Sequence, residues 1–175
     1  MPLLALAALL TAAIPAMLGR GPWYDEFYTF YAADPGLGFW QALQTRWLPD
    51  NHPPLFYALS WASGWLGEGV EQRRFVNLFI LAGFVAGFAV LWRVAPVMAQ
   101  ALRRWGPVYA VALAGCSIAV LTMAELRSNF LAFAASALLV AALATVGSPD
   151  ARQPGRAGWA VLALALWVSS QIVSG

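Results

Sequence analysis

The chain has 175 residues, of which 61% are hydrophobic and only 10% charged, at a mean hydropathy of +0.68. A soluble domain carries roughly one-quarter charged residues, so lipid is the solvent this composition calls for. All ten positive charges are arginines, and against eight acids they leave a net +2, too thin a basic surface for a nucleic-acid partner.

The first apolar segment, Pro2 to Leu18, has no basic residues before it and a poor small-residue cleavage site around Pro15-Ala-Met-Leu-Gly, so it reads as an uncleaved first span. Runs long enough to cross a bilayer as helices fall at 2–19, 75–95, 107–124, 128–147 and 158–174. The fold class expected is all-α: one polytopic transmembrane bundle of about five spans over residues 1–175. Cys116 lies inside an apolar run and, as the one cysteine, excludes an internal disulfide.

Between the first two spans, the loop 20–74 holds six of the eight acids and the one histidine. Asp34-Pro35-Gly36 predicts a helix start, followed by an amphipathic stretch from Phe39 to Leu48 whose Trp40, Leu43 and Trp47 share one face and predict a helix lying flat on the membrane. Pro49 to Pro54 predicts a turn, and Leu55 to Leu66 a second aromatic helix. Residues 53–67 are apolar but short. If they do not cross, Arg93, Arg103, Arg104, Arg152 and Arg156 collect on one side with only Asp150, while Asp25, Glu26, Asp34, Asp50, Glu68, Glu71 and Glu125 collect on the other. That is a positive-inside pattern, which predicts a cytoplasmic N-terminus and an outer loop 20–74.

Asp25 and Glu26 stand among aromatics just past the first span, where two carboxylates are a functional hypothesis, although both facing water in a loop stays open. His52 sits in a proline-bounded turn; it has no second histidine or usable cysteine to make a metal site, and a solvent-exposed turn histidine stays open too. Arg73 and Arg74 open the second span, where snorkelling is expected in any case. Arg127, with Glu125 between two apolar runs, is more telling, because outer arginines beside acids suit a phosphate clamp.

The order Trp-Tyr-Asp25-Glu26, then Asn51-His52-Pro53-Pro54-Leu55-Phe56-Tyr57, then Gly67-Glu68, Arg73-Arg74-Phe75 and Glu125-Leu-Arg127 resembles the N-terminal module of the GT-C membrane glycosyltransferases. It is most similar to the protein mannosyltransferase and aminoarabinose transferase group, and the likeness covers nearly the whole chain. The resemblance implies transfer of a sugar from a polyprenyl-phosphate donor to a lipid, glycan or protein acceptor on the outer face of the plasma (inner) membrane. It implies Asp25 as catalytic base with Glu26 beside it, and His52, Arg74 and Arg127 near the donor phosphate, with Arg73, Glu125 and Asn51 in support. No cofactor beyond the lipid-linked donor and no metal ligand is assigned, and the partners are membrane lipid and that donor. Asn129 stands where many relatives carry an acid, and relatives are longer. The chain is therefore read as an N-terminal part, a truncated product or one half of a split protein, completed by a C-terminal remainder or a partner subunit.

Two other readings remain. One is a transporter or flippase fragment; the other is a non-catalytic membrane scaffold. The first wants ionisable groups at mid-membrane, whereas here only Asn77, Ser117, Thr122, Ser136 and Gln171 are notable polar residues in or near the apolar runs.

Overall fold

In the computed structural model, which describes residues 2–50, 52, 54–94, 100, 104, 108, 112, 115–146, 159–160, 162–164 and 166–168, every regular element is helical. The all-α expectation therefore holds for the described residues. Helix α1 (Pro2–Gly19) leads through a short polar link to α2 (Tyr24–Ala32). Helix α3 (Phe39–Ala42) widens into a π-helical turn over Leu43–Trp47, and α4 (Pro54–Ala62) is followed by a 3-10 turn at Gly64–Leu66. The single turn α5 (Val70–Arg73) runs into α6 (Val76–Val94), and α7 (Ser117–Met123) and α8 (Asn129–Val146) follow.

Among the described residues one helix, Val70–Arg93 when α5 is taken with α6, is long and apolar enough to cross a membrane; Leu6–Gly19 and Asn129–Leu143 are shorter apolar helices. The expected span at 107–124 lies partly outside the described residues and that at 158–174 about half outside, while Asn51, Pro53 and the loop 147–158 lie wholly outside them. Helix α4 has nine residues, a rise of about 14 Å against a hydrocarbon core of about 30 Å, so α4 alone is too short to span one.

Packing follows the apolar spacing. Leu9, Ala13 and Met17 recur every fourth residue on α1 and meet Ile80, Met123 and Phe130 in the main core. A Cβ at Gly87 would lie 2.9 Å from the Leu138 side chain, so the missing side chain lets α6 and α8 approach closely. The faces turned away from this core are also apolar, with Phe79, Ile118, Leu121 and Val140 all exposed.

The C-terminal ends of α1 and α7 converge with the N-terminal ends of α6 and α8. Asn77, at the start of α6, joins them by donating from Nδ2 to the carbonyls of Met123 at 2.9 Å and Glu125 at 2.7 Å. The segments 20–75 and 124–128 therefore lie at the same end of the helices.

Two local expectations are corrected. Asp34 does not start a helix: its carboxylate accepts the Gly36 N–H at 2.8 Å in a side-chain turn, and α3 begins only after Gly38, whose backbone is extended. The flat-lying helix does not keep its aromatic residues on one face either. Trp40 is 70% exposed but Trp47 is 1% exposed, packed with Ala32, Ala42 and Tyr57 and donating its indole N–H to the Ala32 carbonyl at 2.7 Å. The π turn spaces its residues differently from an α-helix, which takes Trp47 off the face that regular spacing would give it.

Candidate functional site

Two layers of charge meet at the loop end of the helices, one buried and one open. The buried layer is built on Arg74. Its Nε donates to Glu26 Oε1 at 2.8 Å, and one Nη2 hydrogen goes to Glu26 Oε2 at 2.9 Å. Nη1 serves the Met17 and Arg20 carbonyls at 2.6 and 2.7 Å, and Nη2 also faces the Gly21 carbonyl at 3.4 Å. A guanidinium has five N–H groups, and these five acceptors use them all. Arg74 thus neutralises the C-terminal end of α1 and anchors the first turn of α2 at once.

Glu26 completes this layer from its own side. Its carboxylate also accepts the Leu126 N–H at 2.7 Å and, reaching back one turn, the Trp23 N–H at 3.0 Å. Burial raises the Glu26 carboxyl, but the hydrogen bonds from Arg74, Leu126 and Trp23 and the Arg74 charge outweigh it and hold the group below the usual carboxylate range. Arg73 is buried beside it, capping the other end of α2 by donating to the Ala33 carbonyl at 2.7 Å, with its guanidinium over the Phe30 ring.

The open layer is a pocket of about 320 Å³ lined by Tyr24, Asp25, Tyr28 and Thr29 of α2, Asp50 and His52 of the following turn, Phe56 and Tyr57 of α4, and Arg127 and Ser128. The α2 residues recur at three and four positions, so one face of that helix forms the wall while Glu26 and Phe30 face inward. On one side Asp25 pairs with Arg127 at 3.0 Å, both partly exposed at 56% and 38%. On the other, Asp50 accepts the Tyr57 hydroxyl and lies 3.1 Å from His52 Nδ1. Burial, then the hydrogen bond and charge of Asp50, push the Tyr57 hydroxyl far up, so it stays protonated as a donor. Burial followed by the Asp50 charge raises Tyr28 in the same direction.

The structure thus brings Asp25, His52 and Arg127 into one pocket and sets Glu26, Arg73 and Arg74 beneath it. All five Arg74 N–H groups are engaged, and Glu26 accepts from Arg74 twice and from the Leu126 and Trp23 N–H groups, so both side chains are held as buried anchors beneath the pocket. Glu125 pairs with Arg20 at 2.8 Å, and Asn51 lies outside the described residues.

Asp50, Tyr28 and Tyr57 were not singled out from the sequence. The signal for them was present: Tyr57 closes the His-Pro-Pro motif, and Asp50 stands two residues before His52. A second, apolar void of about 10 Å³ between Leu9, Leu81 and Phe130 offers no polar group. Among the described residues no group of three or more His, Cys, Asp or Glu side chains is placed to hold a metal ion. In comparisons with known proteins, no family model, no curated protein and no solved structure matches this chain.

Proposed function

We propose that the chain is a membrane glycosyltransferase module that takes a sugar from a polyprenyl-phosphate donor at the outer membrane face. One observation carries the reading: a half-exposed carboxylate, Asp25, and a half-exposed guanidinium, Arg127, share the wall of an open pocket at the end of an apolar helix bundle. An exposed ion pair of this kind is weak, about 0–1 kcal/mol, so an entering phosphate competes for Arg127 and releases the Asp25 carboxylate. The freed carboxylate accepts the proton of an acceptor hydroxyl as it attacks the anomeric carbon. The bond to the phosphate oxygen breaks, and Arg127 stabilises the charge that gathers there. A single displacement of this kind inverts the anomeric centre.

The multi-pass reading belongs to the same proposal. Helices α1 and α8 have 18 residues each, a rise of about 27 Å, close to one hydrocarbon thickness, and outward apolar side chains such as Val140 and Leu143 suit lipid. The cytoplasmic N-terminus rests on the charge pattern of the loops, and the plasma-membrane location on the family resemblance.

Binding of a prenyl-phosphate-linked sugar to the full chain in lipid nanodiscs tests the donor assignment. Arg127→Lys should weaken binding about tenfold, because an ammonium keeps charge but loses the planar two-point contact. Equal affinity in wild type, Arg127→Lys and Arg127→Ala would remove the assignment.

A further inference from the structure

The wall of the pocket opposite Asp25 contains a hydrogen-bonded set that the transfer step above does not use. We propose that Asp50 is a positioning residue: it holds the His52 imidazole through Nδ1, so that Nε2 is the nitrogen offered to a phosphate oxygen in the pocket. The Asp50 side chain is only 10% exposed while His52 is 52% exposed, which is the asymmetry of a fixed support and a presented group. Both Asp50 oxygens lie within reach of Nδ1, at 3.1 and 3.3 Å, and the Tyr57 hydroxyl donates to the same carboxylate. A carboxylate fixed by a buried phenol has little freedom, so the ring bound to it has a set direction and a set tautomer.

In the neutral ring the hydrogen sits on Nδ1, facing Asp50, and Nε2 is an acceptor. Protonation adds a hydrogen at Nε2, which then donates to an anionic oxygen. Nε2 makes no hydrogen bond among the described residues. The titratable and charged groups facing the ring across the pocket are Tyr24, Asp25 and Tyr28 from α2, Tyr57 from α4, and Arg127 from the link between α7 and α8. Arg127 and a protonated His52 would hold one phosphate from two sides.

The phosphate half of this proposal rests on the transferase reading, whereas the tautomer half does not, and one experiment separates them. His52 is the chain's one histidine, so 15N-histidine labelling of the full chain in nanodiscs reports it alone. In wild type at a pH where the ring is neutral, the Nδ1–H form should dominate. Asp50→Ala should return it to the Nε2–H form that free imidazole side chains favour in water, and Tyr57→Phe, a milder change, should move it part of the way. An Nε2–H majority in wild type, or no change in a folded Tyr57→Phe together with Asp50→Ala, overturns the positioning role.

Farnesyl phosphate added at a pH where the ring is protonated should then shift the Nε2 signal, while farnesol should not. Tyr57→Phe should weaken the farnesyl phosphate response several-fold and Asp50→Ala about tenfold, the loss of one oriented hydrogen bond. A wild-type ring held as Nδ1–H that ignores farnesyl phosphate while the Arg127 variants still weaken donor binding overturns the phosphate half alone; if the Arg127 variants bind donor as wild type does, the donor reading falls too, and the positioning geometry stands in both cases.

Discussion

Neighbouring residues on a helix point roughly 100° apart, so Asp25 and Glu26 could never share one role on α2. One turns to the pocket and the other to Arg74. The sequence showed that two acids stood together among aromatics, but which of them was buried depended on Arg74, 48 residues away. The same holds for Arg74, whose five partners come from α1, the link after it and α2. Removing the Glu26 charge leaves a buried guanidinium without its counter-ion, which costs about 3–5 kcal/mol. Glu26→Gln should therefore lower the denaturation midpoint of the chain in micelles sharply, while Asp25→Asn shifts it little; similar midpoints for the two variants would contradict the buried-anchor assignment. The pH dependence has a definite sign. Because the folded Glu26 carboxyl is depressed, its contribution is full above the unfolded carboxylate value and is lost as pH falls through the folded one. Wild type should lose stability on acidification below about pH 4, and Glu26→Gln should lack that part of the loss.

At the level of elements, the apolar runs 2–19, 75–95 and 128–147 predicted α1, α6 and α8 closely, since each is long and apolar throughout, and α1 continues through Pro15. The loop 20–74 was less legible. Trp40 and Trp47 part company because a π turn intervenes, and no spacing rule foretells a π turn. Asp34 carries the signal of a helix cap and of a turn equally, and Pro35 fits both. Gly67 is a place where the backbone itself demands glycine: its φ is +153°, and a Cβ would sit 2.0 Å from Gln72 Oε1. That oxygen accepts the Gly69 N–H at 3.1 Å at the start of α5, so the turn and the arginine-bearing helix are coupled. Gly67→Ala should cost about 1–3 kcal/mol and reduce the yield of folded protein, whereas Gly38→Ala, with open space around its Cβ, should not. Equal yields for the two would mean that the turn adapts.

For the whole molecule, the positions of Arg20, Glu26, Arg74, Glu125 and Arg127 at one end of the helices are what a topology with 20–74 and 124–128 on the same side requires. Charge asymmetry is the sequence basis for proposing that topology, because it depends on loop composition rather than on packing. In a Cys116→Ser background, Gly38→Cys and Glu68→Cys should both react with an impermeant thiol reagent added outside, and Gly155→Cys should not. Protection of both outer positions would reverse the orientation. The central claim concerns Asp25, and sugar transfer from a prenyl-phosphate donor by the intact gene product tests it most directly. Asp25→Asn keeps the shape of the side chain and removes its basicity, a loss typically about 10²–10⁴-fold for a general base. The account predicts a fall of that size with membrane level and donor binding preserved; transfer by Asp25→Asn at the wild-type rate would contradict it.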